Sequence, residues 1–170
     1  MRQFGLLTEQ EIECRISEID RRGRFLRLLL YKTARTDAAI LDTLYTPMGW
    51  QNEYKTIDGK LYCGISVRNP DTGEWITKWN VGTESNIEAQ KGEASDAMKR
   101  AGFVWGIGTE LYSAPEIRVM ADKCTIKEYN GKYKCYDRFS VEKIAYNEAE
   151  EISGLAILCN GRRCFVWQRQ

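Results

Sequence analysis

The chain has 170 residues, the usual size of one domain, and 43% of them are hydrophobic, enough for a real core. Lys and Arg number 25 against 24 Asp and Glu, so the net charge is +1 and a nucleic-acid interface would have to be a local patch. Histidine is absent and none of the six cysteines forms a Cys-x-x-Cys pair, which argues against a zinc site and removes the commonest general base from a hydrolase reading.

The N-terminal residues carry no pattern of a signal peptide, lipid anchor or membrane span, so a cytoplasmic chain with free and mostly buried thiols is expected. Thr8 to Asp20 predicts an amphipathic helix: Thr8 and Glu11 make a capping box, and Ile12, Ile16 and Ile19 supply one apolar face. Arg24 to Lys32 predicts a strand. A second helix is expected from Thr33 to Tyr45, with Ala34, Ala38, Leu41 and Leu44 or Tyr45 facing inward. Between Arg21 and Thr36 stand six cations (Arg21, Arg22, Arg24, Arg27, Lys32 and Arg35) and no acid, with Phe25 and Tyr31 among them. That local excess is either a nucleic-acid contact or a strand edge kept soluble by arginines.

After Pro47-Met48-Gly49-Trp50 the period changes to two. Gln51 to Ile57 and Leu61 to Arg68 predict strands joined at Asp58-Gly59, a type I′ hairpin signal, and Glu74 to Val81 adds a third. Most of Gly82 to Gly108 predicts one helix, with Thr83 or Ser85 as N-cap and Glu84 and Glu88 at the positive end of its dipole. Ile87, Ala94, Met98, Ala101 and Trp105 form its apolar stripe. Lys91, Ser95 and Lys99 share a neighbouring ridge, with Arg100 turned further outward. Small residues such as Gly92, Ala97 and Gly102 let another backbone come close. Downstream, Ile117 to Met120 is a further strand. Two more hairpins are expected around Asn130-Gly131 (Cys124 to Tyr129, Lys132 to Phe139) and Asn160-Gly161 (Ile152 to Cys159, Arg162 to Gln168). The fold class is thus α+β: an antiparallel meander with a long helix packed on it, N-terminal helices and C-terminal β-hairpins. No linker divides the chain, so a single domain over 1–170 is expected.

Three patterns invite enzymatic readings. The G-x-x-x-G-x-G of Gly102, Gly106 and Gly108 comes at the end of a helix, where carbonyls rather than N–H groups are orphaned, so it reads as a helix stop and not a dinucleotide loop. No Walker A sequence is present, so ATP-driven chemistry is not expected. Glu74, Asp96 and Glu110 are scattered acids, without the acid-x-lysine strand pattern of restriction-type nucleases. No catalytic residue, metal or cofactor is expected, and Asp96 reads as an ion-pair partner.

The run from Lys91 to Tyr112, Lys-Gly-Glu-Ala-Ser-Asp-Ala-Met-Lys-Arg-Ala-Gly-Phe-Val-Trp-Gly-Ile-Gly-Thr-Glu-Leu-Tyr, resembles the signature helix of the single-strand annealing proteins of the Rad fifty-two superfamily, in its short phage-type form. Tyr31 to Arg35, Met48 to Gln51 and Gly59 to Ile65 extend the resemblance. It implies ATP-independent annealing of single-stranded DNA for recombination and repair, by an oligomeric ring or helical filament with DNA in a basic groove. By position it assigns DNA binding to Arg35, Lys91, Lys99 and Arg100; the cationic segment adds Lys32 and Arg27. Expected partners are single-stranded DNA, further copies of the chain, and a single-strand binding protein or exonuclease, with no membrane. The alternatives are a module that coats or protects single strands without annealing them and, behind it, a metal-dependent nuclease. A long recruitment tail like that of eukaryotic relatives is not expected.

Overall fold

Strict alternation between Trp50 and Val81 folds as an antiparallel sheet, and the side chains of its middle strand show why. Cys63, Ile65 and Val67 are buried on one face, while Gly64 and Ser66 lie on the other. The computed structural model describes residues 4–83 and 89–170, and for 89–91 it describes the backbone only. Glu84, Ser85, Ile87 and Glu88, assigned above to the start of the long helix, lie outside the described residues. The chain is α+β, with two α-helices and antiparallel strands. It divides into two compact units: Lys32–Thr109 with the N-terminal residues to Gly5, and Leu6–Tyr31 with Glu110–Gln170.

In chain order the second unit opens with a single 3₁₀ turn at Glu9–Glu11, then β1 (Glu13–Ile19) and β2 (Phe25–Tyr31). The first unit then supplies helix α1 (Ala34–Tyr45), strands β3 (Trp50–Ile57), β4 (Lys60–Arg68) and β5 (Trp75–Val81), and helix α2 (Ala89–Trp105). The second unit resumes with β6 (Ile117–Met120), β7 (Lys127–Tyr129), β8 (Lys132–Lys134), β9 (Phe139–Tyr146), β10 (Ile152–Cys159) and β11 (Arg162–Gln168).

In the first unit β3, β4 and β5 form a three-stranded sheet in that order. Asp58 and Gly59 both take positive φ (51° and 73°), the type I′ geometry expected of that dipeptide. Thr33 caps α1, its hydroxyl accepting from the Thr36 N–H at 3.2 Å. Leu41 of α1, Cys63, Ile65 and Val67 of β4, and Ala97, Met98, Ala101 and Trp105 of α2 are buried in one cluster with Phe4 and Ile107. Tyr45 packs against that cluster, its ring 6.2 Å from Phe4, whereas Leu44 is exposed. Trp105 closes the layer by donating its indole N–H to the Ile65 carbonyl at 2.9 Å.

Glycines set two close approaches here. At Gly64 an added Cβ would stand 2.7 Å from the Trp79 indole across the sheet. At Gly82 it would stand 2.6 Å from the Glu93 carbonyl oxygen of α2. The end of α2 is a Schellman stop: Gly106 takes φ +95°, its N–H donates to the Phe103 carbonyl at 2.9 Å, and the Ile107 N–H donates to the Gly102 carbonyl at 3.0 Å.

The second unit is a six-stranded sheet ordered β11-β10-β9-β1-β2-β6, with β7 and β8 as a separate hairpin. Two sequence expectations are corrected here. Thr8 to Asp20 is not a helix: its capping box exists, but it caps only the 3₁₀ turn, and β1 follows. A bulge between Ile16 and Glu18 inserts an extra residue, so the half-buried positions run Cys14, Ile16, Ile19. That bulge gives a strand the three- and four-residue spacings of a helix face. Next, β9 lies where no strand was expected, and it joins β1 to β10 in the sheet. The hairpin around Asn130-Gly131 is shorter than expected, only three residues a side, whereas β10 and β11 match their expected bounds.

Candidate nucleic-acid interface

The long helix places Lys99 and Arg100 side by side on α2, one turn from its buried face at Ala97, Met98 and Ala101. Their side chains are 26% and 42% exposed. Both share one counter-ion. Asp96 lies 3.7 Å from the Lys99 ammonium, and its other oxygen accepts from Arg100 Nε at 2.7 Å. The same oxygen also accepts from the N–H and hydroxyl of Thr83, at 3.0 and 2.9 Å. Burial works against the charge on Asp96, but Arg100 and the Thr83 donors prevail and hold its carboxyl below the usual range. Two cations on one carboxylate leave a surplus positive charge at a half-exposed position, which is the electrostatic requirement for holding a phosphate.

The main chain beneath these two side chains is also fastened. The Arg100 carbonyl accepts from Asn80 Nδ2 of β5 at 3.2 Å. The Lys99 carbonyl accepts from the Lys32 ammonium at 3.0 Å. Lys32 was expected among the DNA contacts, and the structure puts it elsewhere: its side chain is fully buried. Both oxygens of Asp37 accept from its ammonium at 2.6 Å, and the Phe103 ring lies 4.2 Å away. With the Lys99 carbonyl, all three ammonium hydrogens have acceptors. Burial pushes the Asp37 carboxyl up to about 6, against the pull of Lys32 and Lys99. Gly102 is the small residue this arrangement needs: a Cβ there would stand 2.6 Å from Asp37 Oδ2 and 2.9 Å from Lys32 Nζ.

Arg35 is exposed in the first turn of α1, two residues before Asp37, and makes no ion pair among the described residues. Lys91 begins the ridge on α2, but its side chain lies outside the described residues. Arg27 belongs to the second unit. There Glu116 and Glu18 both accept from its guanidinium and hold it charged, its pKa raised above the ordinary arginine value. It lies 34% exposed between two carboxylates, so a phosphate would have to displace them.

Sequence reasoning passed over three side chains that the structure brings to the site. Asp37 and Asn80 are described above; Lys78 lies with its ammonium 4.3 Å from the Trp105 ring and 3.4 Å from the Val104 carbonyl oxygen. The period of β5 was a usable signal for two of them, because Lys78 and Asn80 are two residues apart and so share its α2-facing side. The acids weighed as metal ligands do not converge. Asp96 is tied to Lys99 and Arg100, Glu74 caps a surface turn, and Glu110 is buried in the second unit, accepting from the Leu7 N–H at 2.7 Å. Among the described residues no group of three or more Cys, Asp or Glu side chains is arranged to hold a metal ion. Cys63 and Cys159 are buried and the other four thiols are half-buried, so burial is less general than expected.

Comparison with known proteins gives one family. Residues 56–130, from the end of β3 through α2 to the turn after β7, match the family model described as Rad52/22 family double-strand break repair protein. The match covers the whole of α2 with Lys99 and Arg100, and a little under half of the chain. No curated protein and no solved structure matches the chain.

Proposed function

We propose that the chain, whose residues 56–130 match the Rad52/22 family model, is a single-strand annealing protein of that kind, in which the pair Lys99–Arg100 on α2, with Arg35 and Lys91, grips single-stranded DNA by its phosphates. The family gives the general role: DNA repair and recombination through single-strand binding and annealing. The finer reading is ours. The sheet β3–β5 with α2 is the annealing core. Annealing needs no ATP, and copies of the chain line up in a ring or filament so that their α2 ridges form one basic groove.

The observation that carries this reading is the two-to-one ratio of cations to carboxylate at Asp96 among the described residues. A single subunit offers only a few phosphate contacts, so its affinity is low, and a row of subunits multiplies it. Bases held by their sugar-phosphate side stay turned outward, free to test a second strand.

Fluorescence anisotropy of labelled oligo-dT across a salt series is the direct test. Replacing Lys99 and Arg100 together by alanine is expected to weaken binding and to lower the slope of log Kd against log salt by about 1.4, roughly 0.7 for each lost phosphate contact on a single strand. Unchanged slope and affinity would refute the assignment. Mixing complementary oligonucleotides then separates annealing from coating. An annealer speeds duplex formation beyond the spontaneous rate without ATP, while a protective module binds but leaves that rate alone.

A further inference from the structure

Lys99 and Arg100 are adjacent residues whose main-chain carbonyls are both held by side chains from other elements, Lys32 ahead of α1 and Asn80 on β5. A helical carbonyl already accepts from the N–H four residues on, so neither bond is needed to satisfy the backbone. Both bonds fall on the two residues that the DNA reading singles out. Meanwhile Asp96 fixes the direction of their side chains from the previous turn. We infer that Lys32, held by Asp37, and Asn80 are positioning residues that set the rotation of α2 about its axis, so that Lys99 and Arg100 project together toward a bound strand. The inference rests on the proposed DNA-binding role of those two residues.

The physical argument is one of cost. A buried ion pair is rarely a better stabiliser than apolar side chains of the same size, because two charges must leave water. Here the pair does something an apolar pair cannot. The Asp37 carboxylate uses two ammonium hydrogens of Lys32 and leaves the third for the Lys99 carbonyl, so it aims the bond that pins α2. Gly102 lets the pair sit against the helix backbone one turn beyond Lys99. A helix resting on hydrophobic contacts alone can turn by some degrees at little cost, and at the tip of an arginine a few degrees become an ångström or more. That shift is enough to lose a charge-assisted contact with a phosphate.

The test replaces the pair by apolar residues of similar volume, Lys32→Met with Asp37→Leu, which removes both charges at once and leaves neither partner unpaired. Thermal unfolding by circular dichroism is expected to stay within a few degrees of the parent protein. Binding to oligo-dT is expected to weaken about fivefold to tenfold, with a shallower salt slope. Asn80→Leu, which removes the bond to the Arg100 carbonyl and the Oδ1 that accepts from the Val81 N–H, is expected to weaken binding about twofold to threefold, and it carries the test if the double variant does not fold. Salt slope at matched unfolding temperature is the decisive readout, since a purely structural pair would not move it. Folded variants that bind with the parent affinity and slope would overturn this inference and leave the DNA reading intact. If alanine at Lys99 and Arg100 also left binding unchanged, the DNA reading itself would fall, and this inference with it.

Discussion

The two units use their charges differently. In the second, arginines meet carboxylates one for one: Arg24 with Asp20, Arg163 with Glu142, Arg169 with Glu151, and Arg27 and Arg118 with Glu18 and Glu116. In the first unit Lys55 and Glu53 make one such surface pair, but Lys32–Asp37 is fully buried, and among the described residues two cations, Lys99 and Arg100, divide the single acid Asp96. The lesson is that positive residues alone do not make a binding surface. Neutralised pairs at a sheet surface keep the fold soluble, whereas a cation surplus held in place from below is available to a ligand.

The largest expected effect strikes the buried pair. Lys32→Ala leaves Asp37 buried without a counter-charge and should cost about 3–5 kcal/mol in urea unfolding. Arg163→Ala, which breaks a solvent-exposed pair in the other unit, should give no resolvable change. Equal losses would erase the contrast.

Thiol chemistry sharpens it next. Five of the six cysteines lie in the second unit, and burial raises them all: Cys14, Cys124 and Cys159 to about 12, Cys164 to about 11, and Cys135 above the ordinary thiol value. Cys63, alone in the first unit, rises to about 11. A raised thiol pKa means less thiolate at a given pH. At pH 8 native alkylation of Cys14, Cys63, Cys124, Cys159 and Cys164 should therefore run about a hundredfold or more below that of a free cysteine, and recover on unfolding. Rapid labelling of any one thiol, mapped by mass spectrometry, would contradict the burial described here.

A third prediction concerns Gly102. Its alanine variant pushes a methyl against Asp37 and should lose about 1–3 kcal/mol, measured the same way. The smallest effects separate the two units by function. Arg100→Ala should weaken oligo-dT binding several-fold at low salt and less at high salt. Arg27→Ala, which frees Glu18 and leaves Glu116 to Arg118, should leave binding unchanged. If Arg27→Ala weakened binding as much as Arg100→Ala does, the division of labour between the units would have to be abandoned.

Much of this was legible in the residues alone, for local reasons. The dipeptides Asp58-Gly59, Asn130-Gly131 and Asn160-Gly161 all adopt positive φ at both positions, because their own backbone preferences select that turn. Thr33 caps α1, and the glycines after Trp105 stop α2, through contacts that span only a few residues. The family resemblance of the signature helix was legible too, and the family match covers that helix.

What tertiary structure decided are the matters of partnership. Ile12, Ile16 and Ile19 fit a helix by spacing, yet β1 pairs with β2 and β9 and takes a bulge that imitates that spacing. The run from Arg21 to Thr36 shows six cations and no acid, but the fold brings in Glu18 and Asp20 from before it and Asp37 and Glu116 from after it to meet three of them: Arg24, Arg27 twice over, and Lys32. Charge and hydrogen-bond energies depend on distance in space, and distance along the chain does not encode it. So the sequence by itself determined the hairpin turns, the Thr33 cap of α1 and the glycine stop of α2. Only the folded chain decided that Lys32 works from inside, beneath the pair it was expected to join.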